Sequence, residues 1–175
     1  SKGVEKGKVT ETLKASTLAQ LSTAHSLSEL SDADIVVEAI VENLQVKEKL
    51  FYELDSLCAP ETILASNTSS ISITKIAAAT NRPERVIGLH FMNPVPVMQL
   101  VEIIRGLQTS DDTYARGKAA VELLGKTPVT ARRDFPGFIV NRILVPMINE
   151  AFFVLMEGIA TPEEIDEAMK LGTNQ

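Results

Sequence analysis

IVVEAIV, residues 35–41, is the stretch that decides the fold class. It is a nearly continuous run of β-branched side chains, which is typical of a strand covered on both faces in a parallel sheet. Residues 44–57 follow with apolar side chains mostly at helical spacing, and Pro60 comes after that pattern ends. A strand joined directly to a helix in this way indicates an α/β fold.

The alternation of strand and helix continues to about residue 131. Further strands are predicted at residues 62–65, 85–91, 98–104 and 128–130, and further helices at residues 73–79 and 111–124. A Pro-Gly pair then breaks the chain, and two helices are predicted after it, one at residues 138–157 and one opened by Thr161. The sequence therefore predicts a mainly parallel α/β sheet in residues 1–133 and the first helices of a helical domain in residues 134–175.

Composition excludes several classes of protein. Hydrophobic residues make up 45% of the chain and charged residues 23%, as in ordinary globular proteins. No apolar run reaches membrane-spanning length, and the net charge of −6 offers no basic face for nucleic acid, so neither partner is expected. The single cysteine, Cys58, excludes an internal disulfide, favours a reducing compartment and is expected to pack in the core.

Polar residues cluster at four places in the chain. The clusters are residues 37–43, 65–70, 88–94 and 136–142. The first three end or follow predicted strands, and ligands of open α/β sheets bind just beyond the carboxyl ends of strands. We therefore expect a functional site at this edge of the sheet.

His90 ends an apolar strand, and Glu102 lies twelve residues later on the next one. Histidine is the side chain best suited to take and return a proton near neutral pH. If the turn between the strands reverses the chain, the carboxylate could meet the ring and fix its tautomer. The alternative is a buried histidine satisfied by a carbonyl, with Glu102 on a solvated edge.

Several other polar side chains could have either a functional or a structural role. Asn67, Ser69 and Asn141 could hydrogen-bond a substrate carbonyl or a nicotinamide carboxamide, but each could also be a capping or turn residue. Glu42 and Lys47 could contribute to a site, or they could form an exposed ion pair at the start of a helix. The chain has no Cys/His cluster of metal-ligand spacing, so no metal site is expected.

The polar clusters, in this order, resemble the 3-hydroxyacyl-CoA dehydrogenase family, and in most detail its single-function 3-hydroxybutyryl-CoA dehydrogenase branch. Three strings carry the resemblance: ASNTSS at residues 65–70, GLHFMNPVPVMQLVE at residues 88–102 and PGFIVNRILVP at residues 136–146. The likeness extends over nearly the whole chain. It implies a Rossmann domain followed by a helical dimerisation domain, with NAD and an acyl-CoA meeting between them.

The resemblance also implies a role for each matching residue. His90 would be the general base for oxidation and the general acid for reduction, with Glu102 as its orienting partner. Ser69 and Asn141 would line the reacting centre and contact the substrate, and Ser69 would also touch the cofactor. The remaining matches would bind cofactor or CoA: Glu42, Lys47 and Asn93 the nicotinamide half of NAD, and Lys6 the CoA moiety. Asn67 is a further candidate for cofactor binding, from its amide.

One part of the family pattern lies outside the sequence. The Gly-x-Gly-x-x-Gly turn and the acidic residue for the adenosine ribose belong to a strand–helix–strand unit that would precede Ser1. We therefore expect a Rossmann sheet that is incomplete at its N-terminus and a chain that is a portion of a longer polypeptide. Two alternatives follow: a related dehydrogenase acting on a free hydroxy acid, and an inactive fragment that serves only in assembly.

The partners implied by the resemblance are an acyl-CoA substrate and a second copy of the full-length chain in a homodimer. For the compartment, the bacterial cytoplasm is expected in preference to an organelle matrix. Acyl chain length, the choice between NAD and NADP and the direction of flux are left open by these residues.

Overall fold

The computed structural model describes residues 2–7 and 9–173, which contain one sheet of five strands. The strands are β1 (Ile35–Glu38), β2 (Ile63–Ser66), β3 (Val86–Phe91), β4 (Leu100–Ile104) and β5 (Thr127–Ala131). The α-helices are α1 (Lys2–Glu5), α2 (Glu11–Ala19), α3 (Leu44–Leu57), α4 (Ile73–Ala77), α5 (Asp111–Leu123), α6 (Val140–Met156) and α7 (Pro162–Thr173). Short 3-10 helices cover Leu27–Leu30 and Pro83–Arg85.

The strands lie side by side in chain order, from β1 to β5. Neighbouring strands are parallel except β3 and β4, which form an antiparallel pair. The predicted mainly parallel sheet followed by helices is therefore confirmed. The one antiparallel pair arises because residues 92–99 connect β3 to β4 without a crossover helix, as expected for a Pro-containing turn.

Buried apolar residues form one cluster on each face of the sheet. Successive strand residues point to opposite faces, so Leu64 joins the cluster that contains α3 and α4, whereas Ile63 joins the cluster that contains α5. Cys58 is 5% exposed in the first cluster, which confirms the expected core packing. With helices on both faces, only the edges and strand ends of the sheet are free to form a site.

Gly88 lets α4 lie close against β3. A Cβ atom at this position would lie 2.9 Å from the Cβ of Ile104 and 2.9 Å from two side-chain atoms of Ile73. Real Cβ atoms do not approach other carbon atoms so closely. The absence of a side chain at residue 88 is therefore a packing requirement of this strand.

Several elements, among them β1 and α6, are shorter than the sequence predicts. Strand β1 ends at Glu38 instead of residue 41, because the N–H of Ile40 donates to the Glu38 carboxylate (2.6 Å) and leaves the ladder. Helix α6 begins at Val140 instead of residue 138, because Phe138 has a φ of 48° and lies outside the helical conformation. At β1 a hydrogen bond between residues two apart replaces a ladder hydrogen bond, and at α6 the positive φ of Phe138 delays the start of the helix.

Helices α6 and α7 contact each other after the sheet ends. Much of the apolar face of α6 is exposed, including Ile148 at 47% and Phe152 at 61%. In the part of the chain that the structure describes, no helix combines the length and apolar character needed to cross a membrane.

Candidate active site

The antiparallel pairing of β3 and β4 sets His90 directly opposite Glu102. The Nδ1 atom of His90 lies 2.8 Å from Oε2 of Glu102, and the two residues are 5% and 0% exposed. The contact between His90 and Glu102, which their spacing in the sequence allowed but did not establish, is therefore present. The alternative, with Glu102 on a solvated edge, is wrong, because the parallel neighbour β5 covers the other side of β4.

The second oxygen of Glu102 binds the start of α6. Its Oε1 atom accepts hydrogen bonds from the backbone N–H groups of Ile139 (2.9 Å) and Val140 (3.0 Å). Burial alone would raise the pKa of this carboxyl, but hydrogen bonds from His90 and from the two N–H groups hold the pKa below its usual value. Glu102 is therefore an anion when it meets the imidazole.

An anionic Glu102 fixes the tautomer of His90. Because a carboxylate only accepts, the Nδ1 atom must donate, and a neutral ring then carries its lone pair on Nε2. Every buried side-chain nitrogen or oxygen in residues 3–7 and 9–173 has a hydrogen-bond partner. Nε2 makes no hydrogen bond to the described residues, so it keeps access to solvent or a ligand.

Phe138 borders the histidine, and Asn141 lies close to Phe138 in the sequence, in the first turn of α6. The Phe138 ring is 5% exposed and meets the His90 ring edge-on, with centroids 5.7 Å apart. Asn141 is the residue after Val140, whose backbone N–H donates to Glu102. Asn141 therefore lies in the turn of α6 that is bound to the His90–Glu102 pair. Its amide is partly exposed and has no hydrogen-bond partner among the described residues. Asn141 is thus free to bind a ligand.

Glu42 and Ser69 lie near the carboxyl ends of β1 and β2. Glu42 Oε1 accepts from the hydroxyl of Thr68 (2.5 Å) and from the backbone N–H of Ser69 (3.1 Å). Partial burial would raise the pKa of Glu42, but these hydrogen bonds and the charge of Lys47 hold the pKa below its usual value. The Glu42 side chain is 43% exposed and the Ser69 hydroxyl is exposed, so both can meet a ligand.

Lys47 does not form the exposed ion pair that its place at a helix start suggested. Its side chain is 1% exposed and its Nζ lies 2.6 Å from Oε1 of Glu38 and 3.4 Å from Oε2 of Glu42. The prediction of an exposed ion pair is therefore wrong. The Lys47 ammonium is buried against Glu38, a carboxylate inside an apolar strand.

The other predicted binding residues occupy more open positions. Asn67 is partly buried, and its Oδ1 accepts the backbone N–H of Phe91 (2.8 Å), which ties the end of β2 to the end of β3. Asn93 is exposed in the β3–β4 turn and precedes a cis bond to Pro94. Lys6 is exposed in the turn after α1, and no described contact joins it to the histidine and its partner.

Sequence reasoning missed Asp134 and the role of Glu38. Asp134 accepts from the Ser72 hydroxyl (2.6 Å) and from the Ile73 and Thr74 N–H groups (3.1 and 2.7 Å), so it fastens the segment before α6 to the start of α4. No local pattern signals such a cap from sixty residues away. The role of Glu38 could have been predicted from the sequence, because a carboxylate inside an apolar strand needs a buried partner.

The strand ends thus offer a proton carrier, exposed hydroxyl and carboxylate groups, and a free amide. These groups fit a nicotinamide, whose carboxamide both donates and accepts hydrogen bonds. Glu42, Ser69, Asn67 and Asn93 are the residues that could hold it. Among residues 2–7 and 9–173, no group of three or more His, Cys, Asp or Glu side chains could hold a metal ion.

Comparison with known proteins gives a match over both parts of the chain. Residues 1–135 match the family described as 3-hydroxyacyl-CoA dehydrogenase, NAD binding domain, and residues 137–175 match its C-terminal domain. A Bacillus subtilis (strain 168) protein named probable 3-hydroxybutyryl-CoA dehydrogenase is 58% identical over 174 residues, which are 99% of this chain and 60% of that protein. The Homo sapiens protein named mitochondrial hydroxyacyl-coenzyme A dehydrogenase is 51% identical over 176 residues, covering 97% of this chain and 56% of that protein.

A solved structure agrees with these matches. The crystal structure of (S)-3-hydroxybutyryl-CoA dehydrogenase from Ralstonia eutropha has a TM-score of 0.96 and 56% identity, covering 99% of this chain and 61% of that one. The chain spans about three fifths of the length of the curated relatives it matches. On the strength of these matches, the chain belongs to the 3-hydroxyacyl-CoA dehydrogenase family.

Proposed function

We propose that the full-length protein is an NAD-dependent dehydrogenase that interconverts a 3-hydroxyacyl-CoA and the corresponding 3-oxoacyl-CoA, with 3-hydroxybutyryl-CoA as the substrate to test first. One observation carries the proposal. A buried, tautomer-fixed His90–Glu102 pair lies at the strand ends, where Glu42 and Ser69 present groups suited to a nicotinamide. Family membership adds the substrate class, because the matched relatives are named for 3-hydroxyacyl-CoA or 3-hydroxybutyryl-CoA.

In this mechanism the chain's own residues manage one proton and the orientation of the substrate. Glu42 and Ser69 would hold NAD, which would supply the acceptor for the hydride from C3 of the hydroxyacyl group. His90 Nε2 takes the proton of the 3-hydroxyl as the C3–O bond becomes a carbonyl, and it returns that proton during reduction. Glu102 keeps the Nδ1 proton in place and offsets the positive charge of the ring.

Ser69 and Asn141 are proposed to orient the reactants. The exposed hydroxyl of Ser69 can contact both substrate and cofactor, and the amide of Asn141 can bind the substrate from the α6 side. Asn67 and Asn93 are proposed to border the nicotinamide half. Lys6 remains a prediction for the CoA moiety, and the full-length protein is proposed to be a homodimer in the bacterial cytoplasm.

The first prediction tests His90 in the full-length protein. His90→Gln should lower kcat with 3-hydroxybutyryl-CoA by about two to four orders of magnitude, because general acid–base catalysis alone is lost. NADH binding should stay nearly unchanged. The control is His25→Gln, since His25 is the other histidine and is exposed; it should behave like the parent protein.

The result separates the candidate functions. If His90→Gln keeps more than about a tenth of the parent kcat, His90 is not the proton carrier. Saturation by a free 3-hydroxy acid, with no response to the CoA thioester, would favour a dehydrogenase of free hydroxy acids. A full-length protein that neither binds NADH nor turns over either substrate would favour the assembly role.

A further inference from the structure

The chain that leads into α6, called here the linker segment (residues 134–139), is attached at both of its ends to the part of the molecule that contains the sheet. At its start, Asp134 Oδ2 lies 2.6 Å from the Ser72 hydroxyl and 2.7 Å from the Thr74 nitrogen, whose N–H it accepts. At its end, the last backbone N–H of the segment donates to Glu102 at 2.9 Å. The linker segment therefore runs from the start of α4 to the acid–base pair.

The start of α4 is a firm point of attachment for Asp134. The Ile73 side chain is 0% exposed in the core, and it packs so close to Gly88 that a Cβ atom there would lie 2.9 Å from it. Ser72 also caps the helix independently, because its hydroxyl accepts the Lys75 N–H (3.2 Å). Helix α4 keeps this cap when Asp134 is removed, so the loss of Asp134 should mainly loosen the linker segment.

Contacts within the chain make the linker segment compact. The Phe138 N–H donates to the carbonyl of Phe135 (3.0 Å), and the Arg142 N–H donates to the carbonyl of Gly137 (2.9 Å). The Arg142 guanidinium also lies over the Phe135 ring, 5.8 Å from its centroid. A displacement at Asp134 should therefore reach the first turn of α6 through a connected set of contacts.

We propose that Asp134 is a positioning residue for proton transfer, acting through the linker segment on Glu102 and thus on His90. The proposal rests on the function proposed above. Glu102 Oε1 accepts the Ile139 and Val140 N–H groups at 2.9 and 3.0 Å. Its Oε2 lies 2.8 Å from Nδ1 of His90. Both oxygens belong to one rigid carboxylate, so a shift of the two N–H groups turns it and changes its hydrogen bond to the imidazole.

The test is Asp134→Ala in the full-length protein, with Ser110→Ala as the matched control. The Ser110 hydroxyl accepts the Thr113 N–H (3.1 Å) at the start of α5, on the other face of the sheet. Each substitution removes a contact to a helix N-terminus and should lower the urea midpoint. Asp134→Ala should also lower kcat about tenfold, because a small misplacement at the reacting groups slows the chemistry. Its Kd for NADH should change by less than about twofold, and Ser110→Ala should keep the parent kcat.

A double variant tests whether the effect passes through Glu102. In a Glu102→Gln background, adding Asp134→Ala should lower kcat by less than about twofold, because residues that act as one unit do not contribute additively. A further tenfold loss in that background would mean that Asp134 acts by another route, and the proposal would be wrong. If Asp134→Ala does not fold, Asp134→Asn takes its place. The amide keeps one acceptor oxygen, so the expected loss of kcat is about threefold.

Proton NMR of His90 tests the position of the pair without any turnover. The Nδ1 proton, held by a buried carboxylate, should resonate far downfield in the parent. The resonance should move upfield or broaden in Asp134→Ala and stay in place in Ser110→Ala. An unchanged resonance in Asp134→Ala would overturn the proposal. A shifted resonance in a protein whose parent form does not turn over 3-hydroxybutyryl-CoA would support the positioning role and overturn the proposed function instead.

Discussion

Glu102 is a residue with two partners of different kinds. One oxygen holds the His90 ring, and the other holds the backbone at the start of α6, where no side chain of the helix itself caps the N–H groups. The positive end of the helix and the imidazole therefore share one buried negative charge. Because both contacts need an acceptor, the carboxylate cannot be replaced by its amide without disturbing one of them.

The second prediction follows from that requirement. In Glu102→Gln the backbone N–H groups of α6 should keep the amide oxygen, so the amide nitrogen must face Nδ1 of His90 and donate to it. The ring would then carry its proton on Nε2 and could not act as a base. We expect kcat to fall by about two orders of magnitude or more, and nitrogen NMR of the histidine should show the other tautomer. A parent-like rate and pH profile would mean that His90 acts alone.

The third prediction concerns stability in acid. The pKa of Glu102 is lowered in the folded state, and hydrogen bonding and charge also lower the pKa values of Glu42 and Asp55 against the opposing effect of burial. Unfolded carboxyls titrate near pH 4, at about 3.9 for Asp and 4.3 for Glu. As the pH falls through this range, the unfolded state binds more protons than the folded state, and stability is lost.

The experiment is urea unfolding of the full-length protein between pH 7 and pH 4. The free energy of unfolding should be nearly constant above about pH 5.5 and should decline below it. Glu102→Gln should make that decline shallower without removing it, because Glu42 and Asp55 still contribute. Parallel curves for parent and variant would contradict the role given to Glu102.

Secondary structure elements were predictable where a local pattern acts alone. Helix α3 has the predicted bounds, Leu44–Leu57, because Asn43 caps it by accepting the Val46 N–H and the apolar spacing continues to its end. Strand β1 was predicted three residues too long, since Ile40 and Val41 are apolar but 42% and 66% exposed. Apolar composition alone could not show that the Glu38 side chain would take the Ile40 N–H.

Part of the candidate site was predictable, where its residues are close together in the sequence. The contact between His90 and Glu102 follows from a short turn between two strands, so chain spacing was informative. The burial of Lys47 was not predictable from spacing, because it depends on Glu38, nine residues earlier on another element. The cap that Asp134 gives to α4 depends on how the segment before α6 lies on the sheet.

The fourth prediction tests the close packing of β3 against α4. In Gly88→Ala the new Cβ would meet the Cβ of Ile104, which cannot move away without its backbone. We expect the free energy of unfolding to fall by about 1–3 kcal/mol, the usual effect of overpacking a core. Urea denaturation of the full-length protein measures it.

Gly172 supplies the matched control for this substitution. It lies in α7 and a Cβ there would meet nothing within 4 Å. Gly172→Ala should leave stability unchanged or raise it by up to about 1 kcal/mol, because alanine favours the helix. Equal effects of the two substitutions would mean that residue 88 is not closely packed.

At the scale of the whole molecule, the main feature is the uncovered apolar face of α6. Exposed side chains on this face include Ile148, Phe152 and Met156, which follow one another at intervals of four residues and have exposures from 47% to 78%. Soluble proteins rarely leave a contiguous apolar surface of this kind open to water. A second copy of the chain is the proposed cover in the full-length protein.

The fifth prediction is that the 175-residue polypeptide associates with itself in solution. Ile148→Glu/Phe152→Glu should reduce the association, because charges on the face oppose its burial. The control, Leu107→Glu, changes an apolar residue that is 86% exposed but lies away from α6, and it should have no effect. Light scattering gives the mass of each variant. A monomeric parent polypeptide would contradict the prediction.

The reversal of the chain between β3 and β4 also has a consequence for the order in which the site assembles during folding. His90 and Glu102 are separated by 12 residues, whereas Glu102 and the Ile139 N–H are separated by 37. By the loop-closure relation, the longer separation costs about 1 kcal/mol more entropy. The imidazole and its carboxylate can therefore come together within a single local hairpin, before the start of α6 joins them. By the same reasoning, partial unfolding should release α6 first and leave the pair intact.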